Sequence, residues 1–268
     1  MTRILVLLTS PLTAGPALSA TACFTAQTGP AEIELLYPRP ETDPDFMPTE
    51  EVYTEAQRKV FEAEQDNLVS ALAHEAASWH KAGLPPLKQV RGKVQDVAAQ
   101  AAEKADIVIL GAPHGDVEAR ALLETLLFQC MKPVLLVPRT MPRSFGQCIA
   151  IAWEAGNGPA KRAVDAVSAL LLAAPRTIIL IGDEGAHSSA PPDNLMQMLS
   201  NAGRPAGLHH FSLASRHIGE ALLSEAREVG ADLLVMGAFS HGRLREFCFG
   251  GATIEILKDL DMPVLMHH

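Results

Sequence analysis

Cysteine is scarce in this sequence of 268 residues, which contains only 4: Cys23, Cys130, Cys148 and Cys248. They are far apart and form no Cys-x-x-Cys pair, which argues against a disulfide framework and against the usual spacing of zinc ligands. We therefore expect free, mostly buried thiols in a protein of a reducing compartment.

Positive charge is also low, because 22 Lys and Arg stand against 31 Asp and Glu, giving a formal net charge of -9. Broad nucleic-acid binding needs a basic surface, so this charge balance argues against it. The same balance disfavours docking on an anionic membrane. We expect neither a nucleic acid nor a membrane as partner.

Long hydrophobic runs are missing as well. No stretch reaches the roughly 18 apolar residues of a transmembrane helix. The N-terminal run from Ile4 to Leu8 is shorter than the roughly 7–15 apolar residues of a signal peptide. A buried first β-strand explains this run, and a cytoplasmic protein is expected. Hydrophobic residues nevertheless make up 48% of the chain, enough for a real core.

An internal repeat divides the chain into two similar halves. The segments "ADIVILGAPHGD" at 105–116 and "ADLLVMGAFSHG" at 231–242 both read Ala-Asp, four apolar residues, Gly-Ala. Downstream, "KPVLLVP" at 132–138 corresponds to "MPVLMHH" at 262–268. Such self-similarity indicates a duplicated domain. We predict a first domain at 1–138, a linker at 139–147 and a second domain at 148–268.

Strand and helix patterns alternate within each half. The strands are continuous apolar runs, as in a parallel sheet covered on both faces. We predict two repeated, doubly wound α/β domains with five-stranded parallel sheets, in which ligands bind at the carboxyl ends of the strands. The predicted strands of the second half are 148–154, 177–182, 208–213, 232–239 and 263–267, and its helices lie near 158–173, 194–201, 218–229 and 250–260.

An insertion at about residues 38–82 distinguishes the first half. Its beginning, "YPRPETDPDFMPTEE", has four prolines between Pro38 and Pro48 and predicts an extended surface loop. A long helix is predicted next, at about 50–82. The insertion is either a connection with a helix packed on the sheet, or a lid or partner-binding segment.

The strand "ADLLVMGAF", the loop "SHGRLREFCFGGAT" and the final "MPVLMHH" together resemble the universal stress protein family in its tandem form. The resemblance covers nearly the whole chain. It implies a Rossmann-like α/β sandwich, similar to the adenine nucleotide α-hydrolases. It also implies that residues 134–137 and 264–266, the last strands of the two halves, pair in an internal pseudo-dimer. It implies no agreed chemical reaction.

Nucleotide-binding members of this family carry the pattern G-x2-G-x9-G-[S/T] at this loop. Gly237 and Gly250 match the first and third positions, whereas Ser240 and Gly251 occupy the second and fourth. A phosphate cradle needs inward-facing backbone N–H groups ahead of a helix, and glycine permits the close approach. Glu154 stands where the family has an acidic residue near the adenosine. The predicted nucleotide-binding residues are Glu154, Gly237, Ser240, His241, Gly242, Gly250, Gly251, Ala252 and Thr253.

In the first half, only Gly111 of this pattern survives, and His114 stands at the second position. Alanine and arginine at 119–121 replace the glycines expected at the helix start. The first half is therefore not expected to bind phosphate, and Gly111→Val is predicted to leave ligand binding unchanged, provided the fold survives.

These features favour a stress-adaptation or regulatory binding protein rather than an enzyme. The candidate cofactor is ATP or another adenine nucleotide, and no metal is required. One alternative is a ligand-free protein-interaction scaffold that has lost nucleotide binding, and another is a slow ATP hydrolase. The protein partner, and any homo-oligomer beyond the pseudo-dimer, are not specified by the sequence.

Overall fold

The structure is a computed structural model that describes residues 1–41, 55–113, 115–154, 158–183, 190–212, 216–238, 257 and 260–268. The elements of the first half are β1 (Thr2–Leu7), α1 (Pro11–Thr28), β2 (Ala31–Pro40), α2 (Glu55–Ser78), β3 (Leu87–Gly92), α3 (Val94–Ala102), β4 (Ile107–Gly111), α4 (Val117–Glu124) and β5 (Val134–Val137). Those of the second half are β6 (Cys148–Ala152), α5 (Gly158–Ala166), α6 (Ser168–Ala173), β7 (Arg176–Asp183), α7 (Asp193–Asn201), β8 (Gly207–Ser212), α8 (Ile218–Glu228), β9 (Leu233–Gly237) and β10 (Val264–His267).

The described strands form one continuous sheet in the order β3-β2-β1-β4-β5-β10-β9-β6-β7-β8. Each half has the same internal order, and all neighbouring strands within a half are parallel. The predicted fold class is confirmed. β5 and β10, the last described strands of the two halves, are antiparallel neighbours, with Leu135 opposite Leu265.

Two apolar clusters cover the two faces of the sheet, and successive strand residues alternate between them. In β4, for example, Ile107 and Ile109 belong to one cluster, whereas Val108 and Leu110 belong to the other. This double coverage explains the uninterrupted apolar runs. Each cluster contains side chains from both halves, so the halves share a core.

The repeated Ala-Asp pair lies at the amino-terminal edge of the sheet. Asp106 accepts a hydrogen bond from the backbone N–H of Arg3 at 2.8 Å. Asp232 accepts from the N–H groups of Gln147 at 3.0 Å and Cys148 at 3.1 Å. The aspartate of each copy thus ties the start of the first strand of its half to the fourth strand, far from the carboxyl ends where ligands bind.

We expect Asp232→Ala to destabilise the protein much more than Asp106→Ala. Asp232 is only 5% exposed and its loss leaves two N–H groups without their acceptor, at a cost of about 3 kcal/mol. Asp106 is exposed and accepts one such bond, so its replacement costs less than about 1 kcal/mol. Urea unfolding of the two variants measures the difference, and equal losses would contradict this account.

The predicted surface loop is wrong at its first residues, because Pro38, Arg39 and Pro40 continue β2. The carbonyl oxygen of Leu36 accepts a hydrogen bond from the N–H of Leu8. The even-numbered residues of β2 therefore direct their N–H and C=O groups towards β1. β1 ends at Leu7. An N–H group at position 38 or 40 would therefore point beyond the end of β1, where that strand no longer pairs with β2. Proline, which has no N–H group, is tolerated at such positions. Residues 42–54 of the predicted loop lie outside the described residues.

α2 packs against this extended part of β2. Arg39, whose side chain is 4% exposed, donates to Glu62 at 2.5 Å and to Asp66 at 2.7 Å. Leu72 and Ala76 of α2 are buried in the core, as the apolar face of the predicted helix requires. The insertion thus contains a helix packed on the sheet, within the predicted bounds of 50–82.

Of the three cysteines that the structure describes, Cys148 alone is buried as expected. Cys23 and Cys130 are half-buried at the borders of the two apolar clusters, and these three cysteines are free. Cys248 lies outside the described residues. Among the described helices, none combines the length and the apolarity that a bilayer-spanning segment needs.

Candidate functional site

The carboxyl edge of the first half is filled beside Gly111. This glycine ends β4, and a Cβ placed on it would lie 2.2 Å from Thr13 Oγ1 and 2.4 Å from Thr13 Cβ. Thr13 belongs to the first turn of α1, where Pro11 opens the helix and the Ser10 side chain accepts from the N–H of Leu12. The crevice between β1 and β4 is therefore occupied by the protein's own side chain.

The helix start beside this crevice is also occupied. Asp116 caps α4, and its Oδ1 accepts from the N–H groups of Glu118 at 2.9 Å and Ala119 at 3.2 Å. These are the kind of donors that would bind a phosphate oxygen at a helix start. An internal carboxylate takes this place in the first half.

In the second half, the structure brings two of the predicted site residues to the same edge of the sheet. Gly237 ends β9, and Glu154 follows β6, the strand next to β9. Glu154 is half-buried. Neighbouring parallel strands place their carboxyl ends together, which is where doubly wound folds bind ligands. The other predicted residues lie outside the described residues, namely Ser240, His241, Gly242, Gly250, Gly251, Ala252 and Thr253.

Trp153 forms a further part of this edge. Its backbone N–H donates to Leu180 O of β7 at 3.0 Å, and its indole Nε1 donates to Ala190 O at 3.2 Å. The ring packs against one of the two apolar clusters. The Trp153 indole therefore belongs to the residue directly before Glu154, and its fluorescence can respond to a ligand that binds at this edge.

The end of β10 adds three side chains that sequence patterns did not single out for this site. The N–H of Ala238 donates to His267 O at 2.8 Å, and His268 Nδ1 donates to Ala238 O at 3.2 Å. Arg162 of α5 donates from Nε to His268 O at 2.8 Å. The positions of Arg162 and His268 are 106 residues apart, so no local motif could reveal the contact.

Burial lowers the pKa of His267, and the positive charge of Arg162 lowers it further, against the opposing hydrogen bond to His268 O. His267 is therefore neutral at pH 7, and Arg162 provides the fixed positive charge at this corner. The described residues contain no group of three or more His, Cys, Asp or Glu that could hold a metal ion.

Residues 184–268, which include Gly237 and the end of β10, match the model of the Universal stress protein family. The chain is therefore similar to this family over those residues. A universal stress protein of Synechocystis sp. is 25% identical over 169 residues, which are 60% of this chain and 57% of that protein. The aligned part thus spans little more than half of that relative.

Solved structures show the same fold over the whole chain. A universal stress protein from Archaeoglobus fulgidus matches with a TM-score of 0.72 at 15% identity, covering 99% of this chain and 95% of its own. The cytoplasmic domain of a prokaryotic cation chloride cotransporter matches with a TM-score of 0.52 at 12% identity, covering 99% of this chain and 94% of its own. Both likenesses concern the fold alone.

Another charged cluster lies on the outer side of the second half, between β8 and α8. Glu225, only 6% exposed, contacts His209 Nε2 at 2.8 Å and Arg216 Nη2 at 2.8 Å. Burial raises the pKa of the Glu225 carboxyl, but the hydrogen bonds and charges of His209 and Arg216 lower it more. The net result is a pKa below the ordinary value of 4.5.

We expect Glu225→Gln to cost about 2 kcal/mol at neutral pH, because a charged hydrogen-bond acceptor is lost. A depressed folded-state pKa stabilises the protein above pH 4.5, and this contribution disappears as pH falls through the folded value. The difference in unfolding free energy between wild type and variant should therefore disappear at acidic pH. Urea unfolding at neutral and acidic pH measures it, with exposed Glu228→Gln of the same helix as control. A gap that does not change with pH would contradict the assignment.

Proposed function

We propose that this protein is a regulatory binding protein of stress adaptation, and that its second half binds an adenine nucleotide. The nucleotide would lie at the carboxyl ends of β6 and β9, beside Glu154 and Gly237. We propose a role in binding rather than catalysis. We also propose that the two halves act as one pseudo-dimer, joined by β5 and β10.

The difference between the two halves is the observation that carries this proposal. In the first half, Thr13 fills the crevice beside Gly111 and Asp116 occupies the helix start. The second half retains the glycine-containing loop sequence from Gly237 to Thr253, and it is the half that matches the family. A duplicated protein that keeps a ligand site in one half can use the other half as a structural partner.

The similarity to the universal stress protein family supports the adenine class of ligand, and Glu154 supports the orientation. A carboxylate at the end of β6 can accept hydrogen bonds from ribose hydroxyls. The glycine loop would then receive the phosphates at a helix start. This orientation places the phosphates beside β9 and the nucleoside beside β6.

Fluorescence of Trp153 tests the proposal directly. The chain has 2 tryptophans, so Trp79→Phe leaves Trp153 as the sole indole, next to Glu154. We expect ATP to change its emission with saturation, and calorimetry to give the same affinity. Mass spectrometry of small molecules released from protein purified without added nucleotide identifies the ligand. Absence of binding at millimolar ATP in both measurements would refute nucleotide binding.

The same titrations separate the alternatives. A ligand-free interaction scaffold predicts neither a fluorescence change nor a released nucleotide. A slow ATP hydrolase predicts binding together with turnover that loop substitutions abolish.

A further inference from the structure

Arg162 occupies an unusual position for an exposed side chain of a surface helix. It lies one turn into α5, and its Nε donates to His268 O at 2.8 Å. A Cβ placed on Gly158, the first residue of the helix, would lie 3.2 Å from Arg162 Nη1. The guanidinium therefore extends between the start of α5 and the end of β10.

This position is next to the start of the glycine loop. β9 lies between β6 and β10 in the sheet. α5 packs against both β9 and β10, so a side chain of its first turns that reaches the end of β10 lies beside the end of β9. Ala238, the residue after β9, is hydrogen-bonded to both His267 and His268. The carbonyl oxygen of His268 also accepts the hydrogen bond from Arg162 Nε. The guanidinium and the first residues of the loop thus share one hydrogen-bonded unit.

The guanidinium has donors left for a ligand. Within the part of the chain that the structure describes, Nε is the atom of Arg162 with an assigned hydrogen-bond partner. The fork formed by the terminal N–H groups fits phosphate oxygens in a bidentate geometry. Lys161, its neighbour on α5, is paired instead with Asp165 at 2.6 Å. Arg162 is therefore the cation of this helix turn that reaches the ligand edge.

We propose that Arg162 binds the phosphate chain of the ligand and makes the site selective for nucleoside polyphosphates over nucleosides. The bond from Nε to His268 O holds the guanidinium in place before the ligand arrives, which reduces the entropy lost on binding. This inference rests on the proposed nucleotide site of the second half. Its structural alternative is that Arg162 only fastens the end of β10.

Arg162→Gln tests the proposal, with Lys161→Gln as the matched control on the same helix. Each variant and the wild type are titrated with ATP, adenosine and inorganic tripolyphosphate by calorimetry, and their thermal unfolding is compared. We expect Arg162→Gln to weaken ATP binding by about tenfold or more, the loss of one charge-assisted contact. Adenosine binding should be unchanged, and Lys161→Gln should bind ATP like the wild type.

The outcomes separate this inference from the function on which it rests. Unchanged ATP affinity in Arg162→Gln would overturn the role of Arg162 while leaving nucleotide binding intact. An equal loss for ATP and adenosine would assign Arg162 a structural role and would also overturn it. Tripolyphosphate binding that requires Arg162, without any binding of ATP or adenosine, would support Arg162 and refute the nucleotide. No binding of any probe by the wild type would refute both.

Discussion

Gly111→Ala is expected to destabilise the protein by about 3 kcal/mol or more, a large effect for adding one methyl group. The new Cβ would lie 2.2 Å from Thr13 Oγ1, 2.4 Å from Thr13 Cβ and 2.9 Å from Thr13 Cγ2. Contacts below 3.0 Å essentially never occur for real Cβ atoms. Either Gly111 at the end of β4 or Thr13 in the first turn of α1 must therefore move, and both residues are buried.

The atoms involved suggest a selective rescue. The three nearest contacts all come from the Thr13 side chain, so Thr13→Gly removes all three, whereas Thr13→Ala keeps the Cβ at 2.4 Å. Thr13→Gly itself lowers stability, by roughly a few tenths of a kcal/mol through helix propensity and further through the loss of a buried side chain. The rescue is therefore measured as a double-mutant cycle of urea unfolding energies. Equal rescue by alanine and glycine at position 13 would show that the clash is not the cause.

This packing changes the choice of control in binding experiments. The sequence predicts that Gly111→Val leaves ligand binding unchanged, provided the fold survives, since the first half has lost the phosphate pattern. The structure predicts instead that a Cβ at Gly111 damages the fold, and valine is larger than alanine. Glu118→Gln is the better control, because Glu118 is exposed at the helix start that corresponds to the candidate loop.

The sheet could be predicted from the sequence because its strands are encoded locally. In the second half, all five predicted strands are present, with ends that differ from prediction by at most two residues. Strands buried on both faces consist mostly of apolar residues, so polar neighbours mark most of their ends. The repeat then supplied the topology, because two copies with the same element order were bound to have the same strand order.

α1 shows what local patterns could not supply. It contains Gly15 and Pro16, and much of its buried face is made of small residues such as Ala14, Ala17 and Ala20. Neither feature gives the apolar periodicity that identifies a helix. Close packing of these small residues against the sheet and against α2 stabilises the helix. Such tertiary stabilisation overrides weak local propensity.

The candidate site could be predicted only in part, because local sequence patterns do not show tertiary contacts. Gly237 and Glu154 could be found from the resemblance, because Gly237 ends β9 and Glu154 closely follows β6. The sequence could not identify Arg162 or Thr13, because they matter through contacts with residues that are distant in the chain. It could not identify Asp116 either, because this residue caps a helix start at which a phosphate would otherwise bind. An exposed arginine on a helix has the appearance of a solvated residue until its partner at the end of β10 is known.

Gly251→Val is expected to abolish ATP binding while leaving the fold intact. Gly251 lies outside the described residues, and this expectation rests on its place in the loop pattern. Valine would put a β-branched side chain where phosphate oxygens must approach backbone N–H groups, and it also disfavours positive φ. Losing two or three hydrogen bonds to a charged phosphate, at roughly 1.5–3 kcal/mol each, weakens binding by orders of magnitude.

Calorimetric titration with ATP measures this loss, and thermal unfolding checks that the variant is folded. Glu118→Gln in the first half should bind ATP like the wild type. Ser240→Gly is the complementary change, because it restores the glycine that the family pattern has at this position and removes the side chain that opposes positive φ. We expect it to tighten binding. If Gly251→Val bound ATP as tightly as the wild type, the phosphates would not lie at this loop, and Arg162 together with the end of β10 would be the place to search for them.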